Sequence, residues 1–357
     1  MNIAVGGIIA TKFFRFYTDR IGHLCSNTEL FIREDYNPKD KYIGFTDDYI
    51  CNRQLLDMFS RYMCKKMIYN SHVRDICETV FSNRFIKHYH FNPTAYSSFK
   101  GEPFLEFNKD ECRLGMRELA RMGVDSWYVC FHNRDGSYLN NRKEYHKDFS
   151  YHDYRDSDVK NQIKAMEYVT EQGGYAIRMG YLVDEPLETD NPRIIDYASR
   201  FRSDFMDIFL SANCKFFVGN SAGLICVAFL FNTPSVMLNS CPLEYVDMPK
   251  GGLFLPKLVY NTDEDRLLSF EEVLTKGIGS FTRMEQFDRY HLSNVENTSE
   301  DILGVVREMN MRVDMEWDNI YEKLQSRFWS LFKPYHRCYG CPARVGSRFL
   351  KNHEGLL

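Results

Sequence analysis

The most regular pattern of apolar and polar positions lies between residues 124 and 260. Short apolar runs alternate there with longer amphipathic stretches. The predicted strands are 126–131, 175–179, 214–218 and 235–238, and the predicted helices are 156–172, 204–212 and 224–231. This alternation predicts an open, doubly wound parallel sheet.

The rest of the chain divides into two parts. Residues 1–122 begin with a strand-like segment at 1–9, continue with a helical patch at 52–68, and end with a helix at 108–122. The spacing of Asn108 and Glu111 predicts a capping box for that helix. We expect an N-terminal α/β domain over 1–122, a Rossmann-like domain over 123–300, and a helical tail over 301–357 that packs back on the N-terminal domain.

Residues 214–239 combine a strand, a small polar break, a helix and a second strand. The break contains Gly219, Asn220, Ser221, Ala222 and Gly223 and opens directly into the helix. Small residues let a ligand approach the backbone, and the amides at a helix start favour an anion such as a diphosphate. The pattern also fits an ordinary structural crossover.

Two neighbouring strand ends carry further polar side chains. His132 and Arg134 follow the strand at 126–131, and Arg178 and Gly180 end the strand at 175–179. The carboxyl ends of parallel strands meet at one edge of the sheet, where ligands bind. Arginine offers a rigid fork of donors for phosphate oxygens. In the structural alternative, Arg134 pairs with Asp135 or Asp156, and Arg178 is a solvated strand end.

Composition excludes some classes of protein. The net charge of −4 over 357 residues argues against a dedicated nucleic-acid binder, and we expect no nucleic-acid partner. No apolar run reaches the roughly 20 residues that span a bilayer. Eleven cysteines, several within apolar runs, favour a reducing cytoplasm. Cys338 and Cys341 form a C-x-x-C pair with only His336 nearby, so a metal or redox role and a free surface pair both stay open.

Several of these segments resemble a family of bacterial proteins assigned as glycosyltransferases. The motifs are HNRD at 132–135, RMG at 178–180, RSDFMDI at 202–208, FVGNSAG at 217–223, RIGHL at 20–24 and SRFLKNHEGLL at 347–357. The His-x-Arg pattern is more distantly similar to the HxRR motif of GDP-fucose-using fucosyltransferases. Two positions depart from these patterns: Asp135 replaces the second Arg, and Ala222 replaces a hydroxyl residue.

The resemblance implies a GT-B-like fold, with two Rossmann-like domains facing across a cleft. It further implies a transferase that moves a sugar from a nucleotide-diphosphate donor to a hydroxyl of a cell-surface glycan, a lipid-linked sugar or a protein. Residues 123–300 would bind the donor, and residues 1–122 the acceptor. These acceptors allow peripheral association with the inner face of the membrane.

The implied chemistry assigns roles to individual residues. Arg134, Arg178, His132 and the break at 219–223 would stabilise the leaving diphosphate without a metal or another cofactor. His23 is the first candidate for the base, and Asp135, which could also orient Arg134, is the second. Asp204 could accept from ribose hydroxyls or cap its helix.

Three alternatives stay open. Asp156-Ser157-Asp158 is a D-x-D triplet and 263–265 is another acidic triplet, so a metal-dependent glycosyltransferase is conceivable. A helix-capping role for Asp156 is the competing interpretation. The chain could instead be a non-catalytic nucleotide- or glycan-binding scaffold of the same fold. A nucleotide-sugar epimerase-like enzyme is disfavoured, because no G-x-G-x-x-G fingerprint follows the first strand.

Overall fold

The computed structural model describes residues 11–87, 96, 101–134, 150–183, 185–318 and 321–357. The chain forms two compact units. The first contains Met1–Asn92 and Pro103–Phe107, and the second contains Pro93–Glu102 and Asn108–Leu357. The strand predicted at 1–9 lies outside the described residues.

The first unit is built on a four-stranded parallel sheet in the order β3-β2-β1-β4. Its strands are β1 Thr11–Arg15, β2 Lys41–Phe45, β3 Cys64–Ile68 and β4 Ile86–Lys87, and its helices are α1 Ile21–Glu34, α2 Arg53–Met63 and α3 Ser71–Phe85. Phe14, Phe31 and Tyr42 form an aromatic core between β1, β2 and α1, with Phe14 and Phe31 stacked at 4.4 Å. Helix α1 therefore buries one face on the sheet.

The helical patch predicted at 52–68 is wrong in its second half. Helix α2 ends at Met63, and Cys64–Ile68 forms the edge strand β3. Residues 64–68 pair in parallel with β2, and this tertiary pairing overrides the local helical pattern. Asn52 caps α2, since its side chain accepts from the amide of Leu55.

The second unit contains a seven-stranded parallel sheet in the order β14-β10-β9-β8-β5-β6-β7. Its strands are β5 Tyr128–His132, β6 Tyr175–Met179, β7 Ile194–Asp196, β8 Phe217–Asn220, β9 Ser235–Ser240, β10 Leu253–Pro256 and β14 Arg344–Val345. Its first helices are α4 Lys109–Arg121, α5 Lys160–Glu171, α6 Tyr197–Arg200, α7 Asp204–Asn213 and α8 Ile225–Leu230. The predicted alternation over 124–260 is confirmed.

The order of these strands sets the position of any ligand. From β5 the chain moves outward through β6 to β7, then returns to β8 on the other side of β5 and continues to β9 and β10. The strand order therefore reverses between β5 and β8. In open α/β sheets, ligands bind at such a switch point, beyond the carboxyl ends of the strands.

A small antiparallel sheet and the C-terminal helices complete the second unit. Strands β11 Leu258–Asn261, β12 Arg266–Leu267 and β13 Leu292–Val295 form the small sheet. The remaining helices are α9 Phe270–Thr275, α10 Met284–Arg289, α11 Ser299–Val313, α12 Glu322–Ser330 and α13 Ser347–Asn352. Helix α11 packs on α5, β9 and β10, and β14 pairs with β10. The segment predicted as a tail on the N-terminal domain thus lies within the second unit.

Helix α4 also belongs to the second unit, although the predicted boundary placed it in the first domain. The predicted capping box is confirmed, because Asn108 and Glu111 bond each other's amides. Gly115 lies against the ring of Phe209 in α7 so closely that a Cβ atom would overlap it. Gly123 then ends the helix with φ +77°.

The fold class predicted from the sequence is confirmed: both units are Rossmann-like α/β structures with parallel sheets. Within the described part of the chain, no helix has the length and apolar content needed to cross a membrane.

Candidate functional site at the switch point of the second sheet

Strands β5 and β8 bring His132 and Gly219 into register at the carboxyl edge of the sheet. A Cβ atom at Gly219 would lie 2.8 Å from the ring of Phe217 and 3.4 Å from Cβ of His132. Glycine at this position therefore leaves room for the ring of Phe217 on the same strand, whereas the distance to His132 is an ordinary packing distance. His132 and Gly219, both predicted from the sequence, are neighbours in the structure.

The segment Asp156–Asp158 connects the strand ends at this edge. The hydroxyl of Ser157 donates to Asn133 Oδ1 at 2.6 Å and accepts from Asn220 Nδ2 at 2.8 Å. The Ser157 amide donates to the carbonyl of Arg134 at 3.1 Å. These bonds hold the residues after β5 and the end of β8 in one polar network.

Asp156 is the partner of Arg134. Its carboxylate contacts Arg134 Nη1, which also donates to the carbonyl of His152 at 3.2 Å. The predicted capping role of Asp156 is wrong, because α5 begins at Lys160. The alternative pairing of Arg134 with Asp156 is confirmed, and a phosphate at this site would share or replace this carboxylate.

Arg178 is buried, so its interpretation as a solvated strand end is wrong. The residue is 2% exposed. Its Nη1 donates to the carbonyl of Glu185 at 2.7 Å and lies 3.5 Å from Asp196 Oδ1. Its Nε is buried and has no hydrogen-bond partner within the described residues. Arg178 thus holds β7 and the loop at 185–187, with one donor left over.

His132 is buried beside two positive charges. Burial, followed by the charges of Arg178 and Arg134, lowers the pKa of His132 to about 4. The imidazole is therefore neutral at physiological pH. Its Nδ1 is buried and finds no hydrogen-bond partner in the described part of the chain. A buried polar atom of this kind is unusual in a folded protein and marks a place where a ligand could bind.

The predicted break at 219–223 has two parts. Gly219 and Asn220 are the last residues of β8, while Ser221, Ala222 and Gly223 form a half-buried turn before α8. Asn220 Oδ1 is buried and lacks a partner among the described residues. Helix α8 has only six residues. The break can therefore offer turn amides and the Asn220 amide group, with only a small contribution from a helix dipole.

Lys257 is a candidate that the sequence reasoning missed. It follows β10 and is 7% exposed. Its Nζ donates to the carbonyl of Asp156 at 2.6 Å. Burial lowers the pKa of Lys257, while the nearby charge of Glu296 acts in the opposite direction. The available signal was a lysine directly after an apolar strand, at the edge where Arg134 and Arg178 were expected.

A pocket adjoins Lys257 at the ends of β9 and β10. It has about 370 Å³ of empty space, its open mouth included. Its polar wall contains Ser240, Cys241 and Lys257, and Phe270 and Phe287 contribute to its apolar wall. The cavity volume proper is about 20 Å³, which is room for about one water molecule.

Two other predicted donor residues have clear structural contacts. Asp204 lies in the first turn of α7 and accepts from Arg202 Nη2 at 2.6 Å, while Ser203 is the N-cap. Gly180 follows β6, where a Cβ atom would lie 2.8 Å from Val183 Cγ1. The contacts of Gly180 are packing contacts.

The two candidate bases are Asp135 and His23. Asp135 lies outside the described residues. His23 belongs to the first unit, in the first turn of α1. Its Nδ1 lies 3.5 Å from Asp19 Oδ1, and its side chain is 44% exposed. A carboxylate at this distance can orient the imidazole.

Both acidic triplets are engaged in protein contacts. Asp158 accepts from the amide of Lys160, Asp263 contacts the ring of His291, and Asp265 contacts the hydroxyl of Tyr260. Across the described ranges, no group of three or more His, Cys, Asp or Glu side chains is placed to hold a metal ion. The triplets thus have structural partners of their own.

Cys338 and Cys341 are buried free thiols, so their interpretation as a surface pair is wrong. Cys338 is 2% exposed and its Sγ lies 3.8 Å from the carbonyl of Leu243. Burial is the main cause that raises the pKa of both thiols.

Comparison with known proteins rests on structure. Neither the models of protein families nor the curated proteins contain a match to this chain. A glycosyl transferase family 9 protein from Veillonella parvula has a TM-score of 0.50 at 10% identity, over 85% of this chain and 97% of that one. The ADP-heptose LPS heptosyltransferase II of E. coli has a TM-score of 0.47 at 13% identity, over 69% of this chain and 90% of that one. The first similarity supports the two-domain Rossmann-like fold.

Proposed function

We propose that this chain is a glycosyltransferase that moves a sugar from a nucleoside-diphosphate donor to an acceptor hydroxyl. The carrying observation is the set of buried polar atoms at the switch point, on His132, Arg178 and Asn220, that have no partner among the described residues. These atoms lie on three adjacent strands, beside Arg134. Arg178 Nε and the His132 imidazole can donate to the oxygens of a diphosphate, whereas Asn220 Oδ1 can only accept, for example from a hydroxyl of the donor.

The donor would lie along the edge of the second sheet. We propose that Arg134, Arg178 and Lys257 face the diphosphate. As the bond to the sugar breaks, negative charge grows on the leaving phosphate. Fixed cations and amides at that position stabilise the transition state more than the ground state.

The acceptor hydroxyl must lose its proton during transfer. We propose His23 as the base, with Asp19 holding the imidazole, and Asp135 as the second candidate. The acceptor would be a cell-surface glycan, a lipid-linked sugar or a protein, and the enzyme would work in the cytoplasm at the inner face of the membrane. The nucleotide-diphosphate sugar is the substrate, and no further cofactor is part of this proposal.

Binding and hydrolysis together test the reaction. Nucleoside diphosphates should raise the melting temperature of the full chain. At a ligand concentration of 100 times Kd, the free energy of unfolding should rise by about 2.7 kcal/mol. The matching nucleotide sugar should then be hydrolysed slowly without an acceptor. If no diphosphate stabilises the protein, the proposed donor site is wrong. Stabilisation without hydrolysis or transfer would favour the non-catalytic scaffold.

The role of His23 is tested by separating binding from turnover. His23→Ala should lower kcat and leave nucleoside-diphosphate affinity nearly unchanged, because the base acts on the acceptor. His72→Ala, at an exposed histidine of α3, is the matched control. Equal losses of affinity and rate would instead make His23 a phosphate ligand, and no change in either would remove it from the mechanism.

A further inference from the structure

The C-terminal segment is strongly basic, in contrast with the acidic chain as a whole. Residues 323–353 contain seven Lys or Arg and no Asp or Glu, whereas the whole chain has a net charge of −4. The seven are Lys323, Arg327, Lys333, Arg337, Arg344, Arg348 and Lys351. Such a local excess of one sign indicates an anionic partner.

The centre of this segment is a loop over residues 333–341, between α12 and β14, which we call the basic–aromatic loop. His336, Cys338 and Cys341 are buried, at 6%, 2% and 8% exposure. Tyr335, just before His336, is 79% exposed, and Tyr339, between the two cysteines, is 56% exposed. The loop therefore has buried anchors and presents its aromatic rings outward.

Its backbone is held by hydrogen bonds. The amide of Lys333 donates to His336 Nδ1 at 2.8 Å, and the amide of Cys341 donates to the carbonyl of Cys338 at 3.0 Å. The thiol of Cys338 lies against the carbonyl of Leu243. The exposed side chains are thus displayed on a fixed support.

The two cations of the loop have no carboxylate partner among the described residues. Lys333 Nζ donates to the carbonyl of Ser330 at 3.0 Å, and the Arg337 guanidinium lies 4.7 Å from the centre of the Tyr245 ring. By contrast, Arg344 contacts Glu322 and Lys351 contacts Glu354. The uncompensated charge of the segment therefore includes Lys333 and Arg337, next to the exposed rings.

We infer that the basic–aromatic loop docks this protein on an anionic phospholipid surface. Tyrosine is enriched at membrane–water interfaces because its ring is apolar and its hydroxyl is polar. Lysine and arginine near an anionic leaflet each strengthen binding about five-fold. This inference deepens the membrane association contained in the proposed function and rests on it in that respect.

The test is co-sedimentation of the full chain with vesicles. Wild-type protein should bind vesicles made of phosphatidylcholine and phosphatidylglycerol in equal parts. It should bind far more weakly to vesicles of phosphatidylcholine alone. Added salt should weaken the binding. Lys333→Gln with Arg337→Gln should lower the partition coefficient about 25-fold. Lys109→Gln with Arg113→Gln, two exposed cations of α4, removes the same charge and should change it little.

A second pair of variants tests the aromatic part. Tyr335→Ser with Tyr339→Ser should weaken vesicle binding in high salt as well, because the contact of the rings is not electrostatic. The inference is overturned if wild type ignores phosphatidylglycerol, or if the loop variants and the α4 control bind equally. It is also overturned if the loop binds a single-stranded oligonucleotide but no vesicle.

Nucleoside-diphosphate stabilisation is measured on the same proteins. The loop variants should keep it, which also shows that they are folded. If the wild-type protein is stabilised by a nucleoside diphosphate but does not bind vesicles, the docking inference alone is contradicted. Vesicle binding that depends on the loop, with no response to any diphosphate, contradicts the donor site and leaves the docking inference standing.

Discussion

Arg134 is the residue whose contacts combine structure with the proposed chemistry. It lies just after β5, contacts the carboxylate of Asp156, and is close enough to lower the pKa of His132. Its side chain is only 10% exposed. A buried arginine that contacts a carboxylate can exchange that carboxylate for a phosphate at little cost in charge.

Arg134→Ala should weaken nucleoside-diphosphate binding about 10- to 150-fold, because a buried phosphate loses a charge-assisted pair of ~1.5–3 kcal/mol. Isothermal titration gives the affinity. The variant also leaves Asp156 without its partner, so Arg134→Ala with Asp156→Asn serves as the folded control. Arg193→Ala, at the opposite edge of the sheet, should bind normally. Unchanged affinity in both Arg134 variants would remove this residue from the site.

His132 makes the folded protein sensitive to acid. The pKa of His132 is about 4 in the folded protein, against 6.5 for an unperturbed histidine. The unfolded chain therefore takes up the proton first as the pH falls. Stability is therefore lost between about pH 6.5 and pH 4, by at most about 3 kcal/mol. The His132→Asn variant should lose less stability over this pH range than the wild type. Denaturant unfolding of both proteins at pH 6.5 and pH 4 measures the difference. If the free energy of unfolding falls equally in both proteins, the prediction is wrong.

At the scale of elements, one glycine sets the distance between two helices. Gly115 of α4 faces the ring of Phe209 in α7, with no room for a Cβ atom. Elsewhere in a helix, replacing glycine by alanine stabilises by roughly 0.5–1 kcal/mol. Here the overlap should reverse the sign.

Gly115→Ala should therefore destabilise the protein by about 1–3 kcal/mol, measured by denaturant unfolding. Phe209→Leu removes part of the ring, so the double variant should be more stable than the sum of the single effects. Arg117→Ala, on the exposed side of α4, should stay within about 0.5 kcal/mol of wild type. A stabilised Gly115→Ala variant would mean that α4 can move away from α7.

At the scale of the whole molecule, the proposed reaction depends on the protein's own cations. Arg134, Arg178 and Lys257 converge on one edge of the second sheet. These residues can offset the charge of a diphosphate without help from a divalent ion.

Transfer should consequently continue in EDTA at an unchanged rate. The measurement compares initial rates with and without the chelator, and with Mn²⁺ added back. Loss of turnover in EDTA and its rescue by Mn²⁺ would support the metal-dependent alternative. The same assay on Asp158→Asn would then show whether the D-x-D triplet holds the ion.

The sequence by itself determined strands β5, β6, β8 and β9 and helix α7 of the second unit, and it predicted the edge on which to look for a site. The strand at 175–179 and the helix start at Ser203 were predicted to the residue, because apolar periodicity and capping side chains act over a few positions. The same local signals failed at 64–68, where pairing with β2 decides the structure.

Tertiary structure alone decided that Lys257 joins the site. Lys257 lies 101 positions after Asp156 in the chain, and only the folding of the second unit brings its Nζ to the carbonyl of Asp156. Burial likewise comes from packing. It makes His132 neutral, and it leaves Arg178 Nε without a hydrogen-bond partner in the part of the chain that the structure describes. A sequence shows which side chains could bind an anion, but the folded sheet determines which of them are already paired.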